Sequence, residues 1–406
     1  MGARGGEAAE AAVVELPLPA APAVRSLRQS AWRQVLDGAV AWAGAPVRFA
    51  RLLRITKECV ADVKERFRAA KEEKMEQREK SGKSSSGGGA AKMLQKLLPT
   101  YMWSHVVART DPAVYRDLLN TSLSVMVGSI LTQEPFPFEP YHEAVRGPEL
   151  DYYAWGNNFF RSMVKYRSSR VEGLEHVLEI KRLLAAGENV ILLANHQTEA
   201  DPQVLSILLE LEGHEELAER CIFVAGHKVT TDPLAVPFSI GRNLLTIFSK
   251  KYLDSFPPEE KEVKSAHNQK TVGEMQRLFK EGGKLVWVAP SGGRDRRTAA
   301  DGEFEPAAFD ASSVGLFLVL AQKVERAKGP KTHLFPLAMW THNLVPPPSG
   351  EQAKVGESRS AARAPVGLGF GPELDVAKAG GRKKFPAVAE KAVKEHYAHL
   401  HSLMAQ

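Results

Sequence analysis

Three observations predict an α/β fold, a mixed but largely parallel sheet flanked by helices, joined to a smaller helical N-terminal domain. From Val171 onward, short apolar runs alternate with longer segments of helical period, the pattern of successive β-α-β units. The best of these runs, Val-Ile-Leu-Leu-Ala at 190–194, is apolar without interruption and reads as a buried strand. Ahead of residue 140 the chain shows helical period and charge pairs at helical spacing, with a Pro-rich stretch from Glu134 to Tyr141 closing it.

Residues 1–25 are rich in Ala, Pro and Gly and are expected to be disordered. Residues 26–140 read as a helical region. Its first helical stretch, Ser26 to about Lys80, is apolar and basic at first, with Trp32, Trp42, Phe49, Leu52 and Leu53. It then becomes densely charged, with Asp62–Arg66 and Glu76–Lys80 at i,i+4. Two readings are open for it: a solvated helix whose charges cancel, or an amphipathic helix resting on a membrane surface. Residues 84–89 read as a flexible linker, and a second helical block, Ala90 to Thr132, is expected to break at Asp111-Pro112.

Residues 141–406 form the predicted α/β domain. Helices are expected at 174–186, 202–211, 265–281, 312–326 and 384–404. Strands are expected at 190–194, 222–225, 244–248, 284–289, 334–339 and 366–370.

Composition narrows the function class. With 406 residues, 44% hydrophobic and 25% charged, the chain has ample material for a globular core. No apolar run approaches the roughly eighteen residues a membrane span requires. A net charge of +6 favours an anionic partner. Cys59 and Cys221 make no metal or redox pattern, so a reducing compartment is expected and no metal is implied. Glu7, Glu10 and Glu15 interrupt the small-residue N-terminus, unlike a secretory signal or an acid-poor transit peptide.

The chemistry gathers after the 190–194 run. Asn195 and His196 turn polar, and Asp201-Pro202 opens the next helix. Because it precedes proline, Asp201 is expected outside the α region, as an N-cap with Pro202 at the first helical position. His196 then stands at the carboxyl tip of a strand, where open α/β sheets bind ligands. Five residues separate it from Asp201, so a His–carboxylate pair is feasible, with the carboxylate fixing the tautomer and stabilising an imidazolium. A cap and an unrelated loop histidine satisfy the same spacing. The neighbouring stretches tip the balance toward the pair. Pro-Ser-Gly-Gly-Arg-Asp-Arg-Arg at 290–297 follows another strand, with glycines that let a ligand approach the backbone. Arg294 and Arg296, two apart, would aim guanidinium forks the same way in an extended segment, a good match to phosphate. Ser-Lys-Lys-Tyr at 249–252 could add an ammonium from Lys251. A small phosphorylated ligand is implied.

Asn-His-Gln-Thr-Glu-Ala-Asp-Pro at 195–202 matches the His-x4-Asp motif of the glycerolipid acyltransferases, and in this form it resembles the soluble, plastid-type glycerol-3-phosphate acyltransferases. Four further stretches fit that family: Phe-Val-Ala-Gly-His-Lys at 223–228, Pro-Phe-Ser-Ile-Gly-Arg-Asn-Leu at 237–244, Ala-Pro-Ser-Gly-Gly-Arg-Asp-Arg at 289–296 and Phe-Asp-Ala-Ser-Ser-Val at 309–314. The likeness runs from about Glu134 to the C-terminus. It implies that His196 is the general base and Asp201 its partner. Lys251, Tyr252, Arg294 and Arg296 fall on the positions that bind the glycerol 3-phosphate. Tyr252 departs from the pattern, since the family usually carries histidine there and tyrosine brings no positive charge.

The resemblance further implies acyl transfer from acyl carrier protein or coenzyme A to the 1-hydroxyl of glycerol 3-phosphate, in the plastid stroma. No cofactor beyond that acyl donor is expected, nor any nucleic-acid partner, and a peripheral membrane contact is compatible with it. Neither a Gly-x-Ser-x-Gly elbow nor a cysteine near a motif argues for an acyl-enzyme. Two alternatives stand beside this reading: acylation of a lysophospholipid, and a catalytically silent module that binds phosphate or lipid.

Overall fold

The structure, a computed structural model, describes residues 45–68, 72, 89–131, 135–249, 253, 256–297, 302–346 and 359–405. The expected disordered segment at 1–25, the first part of the expected helical stretch and most of the 84–89 linker lie outside these residues, as do Lys251 and Tyr252.

Helix α1, Ala45–Arg66, buries Phe49, Leu52, Ile55, Cys59 and Val63, which recur every three or four residues along one face. That stripe is covered by protein. Helices α2, Gly89–Ala108, and α3, Pro112–Leu131, pack against it. Thr56 Oγ1 meets Tyr115 Oη at 2.7 Å, and Arg66 pairs with Asp62 at 3.0 Å, as its spacing predicts. The break between α2 and α3 falls at Asp111, whose carboxylate accepts from the N–H of Ala113 at 2.8 Å, with Pro112 opening α3.

The remaining elements follow in order. They are β1 (Tyr141–His142), α4 (Tyr152–Arg161), β2 (Arg170–Glu172), α5 (Leu174–Ala185), β3 (Asn189–Ala194), α6 (Asp201–Leu211), α7 (Glu215–Arg220), β4 (Ile222–Gly226), α8 (Val236–Ile240), β5 (Asn243–Ile247) and α9 (Pro258–Glu281). Then come β6 (Leu285–Val288), β7 (Arg296–Arg297), β8 (Phe304–Glu305), α10 (Ala311–Arg326), β9 (Thr332–Trp340), β10 (Gly367–Phe370) and α11 (Phe385–Met404).

Eight strands form one mixed sheet in the order β1-β5-β4-β6-β3-β9-β10-β2, while β7 and β8 make a separate hairpin. The five central strands, β5 through β9 in that order, are mutually parallel. At one edge β1 runs antiparallel to β5. At the other β10 runs antiparallel to β9 and carries β2 parallel beside it. The mixed, largely parallel sheet flanked by helices is therefore as the alternation predicts.

Side chains of the central strands divide between two cores. Val190, Leu192, Phe223, Trp287 and Leu337 join the core that also contains α4, α5, α6 and the N-terminal helices. Ile191, Leu193, Val286, Val288 and Leu334 join a second core with Met275, Phe279, Phe317 and Phe385 from α9, α10 and α11. Burial on both faces is why these strands read as unbroken apolar runs. It also means that the N-terminal helices share one continuous core with the sheet.

Helix α4 escaped the sequence pattern because Gly156, Asn157 and Asn158 are poor helix formers. It forms because Asp151 caps it, accepting from Ala154 N–H at 2.9 Å. Its aromatic face packs on Phe238, with the Trp155 ring stacked at 4.6 Å. Helix α9 begins at Pro258, two turns before the expected Ser265. Those turns carry no apolar stripe, and proline with Glu259 and Glu260 supplies the start.

Candidate active site

The chain leaves β3 toward α6 on one face of the sheet and leaves β6 toward α10 on the other. Connections that part in this way open a crevice at the carboxyl ends of the two strands, the usual ligand site of such sheets. The turn 195–200 and the loop 289–297 face each other across it, joined by a bond from Asp295 N–H to the His196 carbonyl at 2.5 Å.

The His–carboxylate pair is present. His196 Nδ1 lies 2.8 Å from Asp201 Oδ2. An ionised carboxylate only accepts, so Nδ1 carries the proton and Nε2 keeps its lone pair. Asp201 is fully buried and His196 about a quarter exposed. Around the carboxylate every neighbour is a donor. Gln197 N–H donates to Oδ2 at 2.7 Å. Thr198 N–H and Oγ1 donate to Oδ1 at 3.2 and 3.4 Å, and Thr341 Oγ1 donates to the same oxygen at 2.5 Å.

One expectation is corrected here. Asp201 is the first residue of α6, preceded by Ala200, and is not an N-cap held outside the helix. Its carboxylate turns back to the N–H groups of the preceding turn, and those bonds offset the strain of a helical residue before proline.

Asn195 and Gln197 anchor the turn to distant segments. Asn195 exchanges bonds with Met339 on β9, N–H to Oδ1 at 2.7 Å and Nδ2 to the carbonyl at 3.0 Å. Gln197 Nε2 donates to Tyr397 Oη at 2.9 Å, and its carbonyl accepts from Thr341 N–H at 2.7 Å. The edge of the His196–Trp287 ring pair, centroids 5.8 Å apart, closes the apolar side.

Across the crevice, the loop after β6 turns at Gly292, whose φ of +65° favours glycine. Asp295 is buried, whereas Arg294 on one side of it is half-buried and Arg296 on the other is exposed. Their surroundings differ. Arg294 is only 17% exposed and approaches Glu199 at 3.9 Å. Arg296, on the β7–β8 hairpin, is exposed.

Glu199 itself is held by Arg359, Nε to Oε2 at 2.6 Å and Nη2 to Oε1 at 3.0 Å. Arg359 also reaches Asp232 at 3.0 Å, and these two carboxylates raise its already high pKa although burial opposes them. Sequence reading missed Thr341, Gln197, Asp295 and Arg359. Asp295 lies inside a motif that the sequence offered. Arg359 carried no signal, since its partner Glu199 is 160 positions away. Among the described residues no group of three His, Cys, Asp or Glu side chains is arranged to hold a metal.

Comparison with known proteins gives this geometry a family. Residues 168–340 match the family model described as Acyltransferase. A chloroplastic glycerol-3-phosphate acyltransferase of Cucurbita moschata is 41% identical over 278 residues, 68% of this chain and 59% of the relative. Those of Pisum sativum and Arabidopsis thaliana are 38% and 36% identical, covering 71% and 73% of this chain and 62% and 64% of the relatives. The chain thus spans about three-fifths of the length of the curated relatives it matches. Among solved structures, a 1-acyl-sn-glycerophosphate acyltransferase from Thermotoga maritima matches with a TM-score of 0.36 and 16% identity, over 62% of this chain and 78% of that one. Residues 168–340, which carry the His196–Asp201 turn, match the acyltransferase family model, and the chain around them is similar to the chloroplastic glycerol-3-phosphate acyltransferases.

Proposed function

We propose that this chain transfers a fatty acyl group from a thioester donor to the 1-hydroxyl of glycerol 3-phosphate. The product would be lysophosphatidate, the first intermediate of glycerolipid synthesis. The observation that carries this reading is the buried Asp201 carboxylate bonded to His196 Nδ1, with the arginine loop across the same crevice.

The step balances with two substrates and needs no cofactor. The 1-hydroxyl oxygen attacks the thioester carbonyl carbon while His196 Nε2 takes its proton. The carbon–sulfur bond then breaks, and the imidazolium returns the proton to the departing thiolate. Asp201 stabilises the imidazolium in between, and the donors around it hold that charge in place. Arg294 and Arg296 would grip the phosphate, with Lys251 and Tyr252 as further contacts carried over from the family pattern.

Acyl carrier protein is the donor that the basic excess of +6 favours, because an acidic carrier would be steered toward it, and coenzyme A is the alternative. The relatives' chloroplastic names support a plastid location. No helix among the described residues is long and apolar enough to cross a membrane.

The test is thiol release from acyl carrier protein and coenzyme A donors, with and without glycerol 3-phosphate. Release that depends on the acceptor supports the reading. Retained phosphate binding with no thiol release would overturn it in favour of a silent binding module.

A further inference from the structure

Asp295 stands between the two arginines of the loop, yet its side chain is turned inward and is 2% exposed. Its polar contacts join the framework of the base to the segment beyond the hairpin. Its own N–H donates to the His196 carbonyl at 2.5 Å. Asn195 Nδ2 donates to its Oδ2 at 2.7 Å, and Ala307 N–H to its Oδ1 at 2.9 Å. Asn195 in turn is clamped to β9 through both the N–H and the carbonyl of Met339. A continuous line of hydrogen bonds therefore runs from the centre of the sheet, beside the base, into the loop that carries Arg294 and Arg296.

We propose that Asp295 is a positioning residue that sets the distance between His196 and the phosphate-gripping arginines, and so decides which hydroxyl of a glycerol phosphate meets the base. The inference rests on the acyltransferase reading above. Glycerol 3-phosphate offers a primary and a secondary hydroxyl, and the primary one lies a single carbon farther from the phosphate. Once the phosphate is held, the base can discriminate between them only if its own separation from the grip is fixed to within about one bond length. A misplacement of about 1 Å can cost roughly a hundredfold in rate, so a looser loop would blur the choice. Asp295 bonds to the residue before the base, to the base's own carbonyl and to the segment beyond the hairpin.

Two acceptors report the choice without acyl migration. In one, 3-hydroxypropyl phosphate, only the primary hydroxyl remains; in the other, 2-hydroxypropyl phosphate, only the secondary one does. The ratio of kcat/KM for the pair, measured on the full chain with an acyl-coenzyme A donor, should strongly favour the primary alcohol. In Asp295→Ala and Asp295→Asn that ratio should fall by about ten- to a hundredfold, with the KM for the donor unchanged. The amide variant gives a second reading if alanine unfolds: it loses one of the two accepting oxygens but matches the carboxylate in shape and escapes the desolvation that pushes this acid up to about 6.

A purely structural role would lower the melting temperature and leave the ratio within twofold of the parent, and that result overturns the proposal. Should the parent release no thiol with glycerol 3-phosphate, or should His196→Ala keep full turnover, the acyltransferase reading itself falls and takes this inference with it. A parent that discriminates and variants that discriminate equally would remove Asp295 alone.

Discussion

The turn that carries His196 and the loop that carries Arg294 and Arg296 face one crevice but are built in opposite ways. Asp201 is wholly buried and accepts from His196 Nδ1, Gln197 N–H, Thr198 N–H, Thr198 Oγ1 and Thr341 Oγ1. All but the last lie within five positions of it. The arginine loop has exposed glycines at its tip, and its placement comes from Asp295 bonding to Asn195 and Arg294 approaching Glu199, both far away in sequence. The pair that would do the chemistry is thus preorganised by its own neighbours, and the groups that would bind phosphate are placed by tertiary contacts. Changes in the turn should act on turnover, whereas changes in the loop should act on acceptor affinity.

The largest expected effect tests the turn. His196→Ala should lower kcat by roughly 10²–10⁴-fold while the chain stays folded, since its side chain is partly exposed. Near-normal turnover would break the comparison at its first term.

Asp201→Asn should lose both turnover and stability. Each neighbour of the carboxylate is a donor, so an amide nitrogen would confront at least one N–H or O–H without an acceptor. A buried donor left in that state costs about 1–3 kcal/mol. Thermal melting and kcat together check this. An unchanged melting temperature would contradict the network described around Asp201.

In the loop, Arg294→Ala should raise the KM for glycerol 3-phosphate by roughly ten- to a hundredfold with kcat largely kept, on 1.5–3 kcal/mol per charge-assisted contact. Arg296→Ala should do less, because its guanidinium is exposed and screened whereas that of Arg294 is mostly enclosed. Equal loss of acceptor and donor affinity would reassign these arginines to the acyl carrier.

Asp295 connects the two regions and should give the stability a pH dependence. Burial lifts its acid group from 3.8 to about 6, against bonds from Asn195 and Ala307 and the nearby His196, with Asp201 adding to the rise. The folded chain therefore holds this proton more tightly than the unfolded one. The stability so gained is complete below about pH 4 and is lost as pH rises to about 6, on the order of 2–3 kcal/mol. Asp295→Asn lacks this slope. Its urea midpoint relative to the parent should improve between pH 4.5 and 6.5 and then level off, and a flat difference would show that the carboxyl titrates normally.

The smallest effect belongs to the one long-range bond among those described at the Asp201 carboxylate. Thr341→Val removes one donor to Asp201 and should cost about 1 kcal/mol with a few-fold loss of turnover. A loss as large as that of Asp201→Asn would mean that the turn depends on β9 as heavily as the arginine loop depends on its distant partners.

Local order alone settled much of this molecule. The unbroken apolar runs of β3, β4, β6 and β9 reflect burial on both faces, and α5, α6, α10 and α11 follow from helical period. The His196–Asp201 contact was readable because five residues after a strand span one turn, and the break at Asp111-Pro112 because cap and proline stand side by side. The two-residue β1, β7 and β8 and the three-residue β2 left no pattern, since elements that short exist only through their partners. Asp201's place inside α6, against the preference of a residue before proline, depends on hydrogen bonds that propensity does not contain. Thr341 reaches Asp201 across 140 positions and Arg359 reaches Glu199 across 160, because β9 lies next to β3 in the sheet and the chain returns past the turn. Such contacts are decided by strand order and by the path of the chain, and a hydrogen bond between segments that far apart has no periodicity in sequence to announce it.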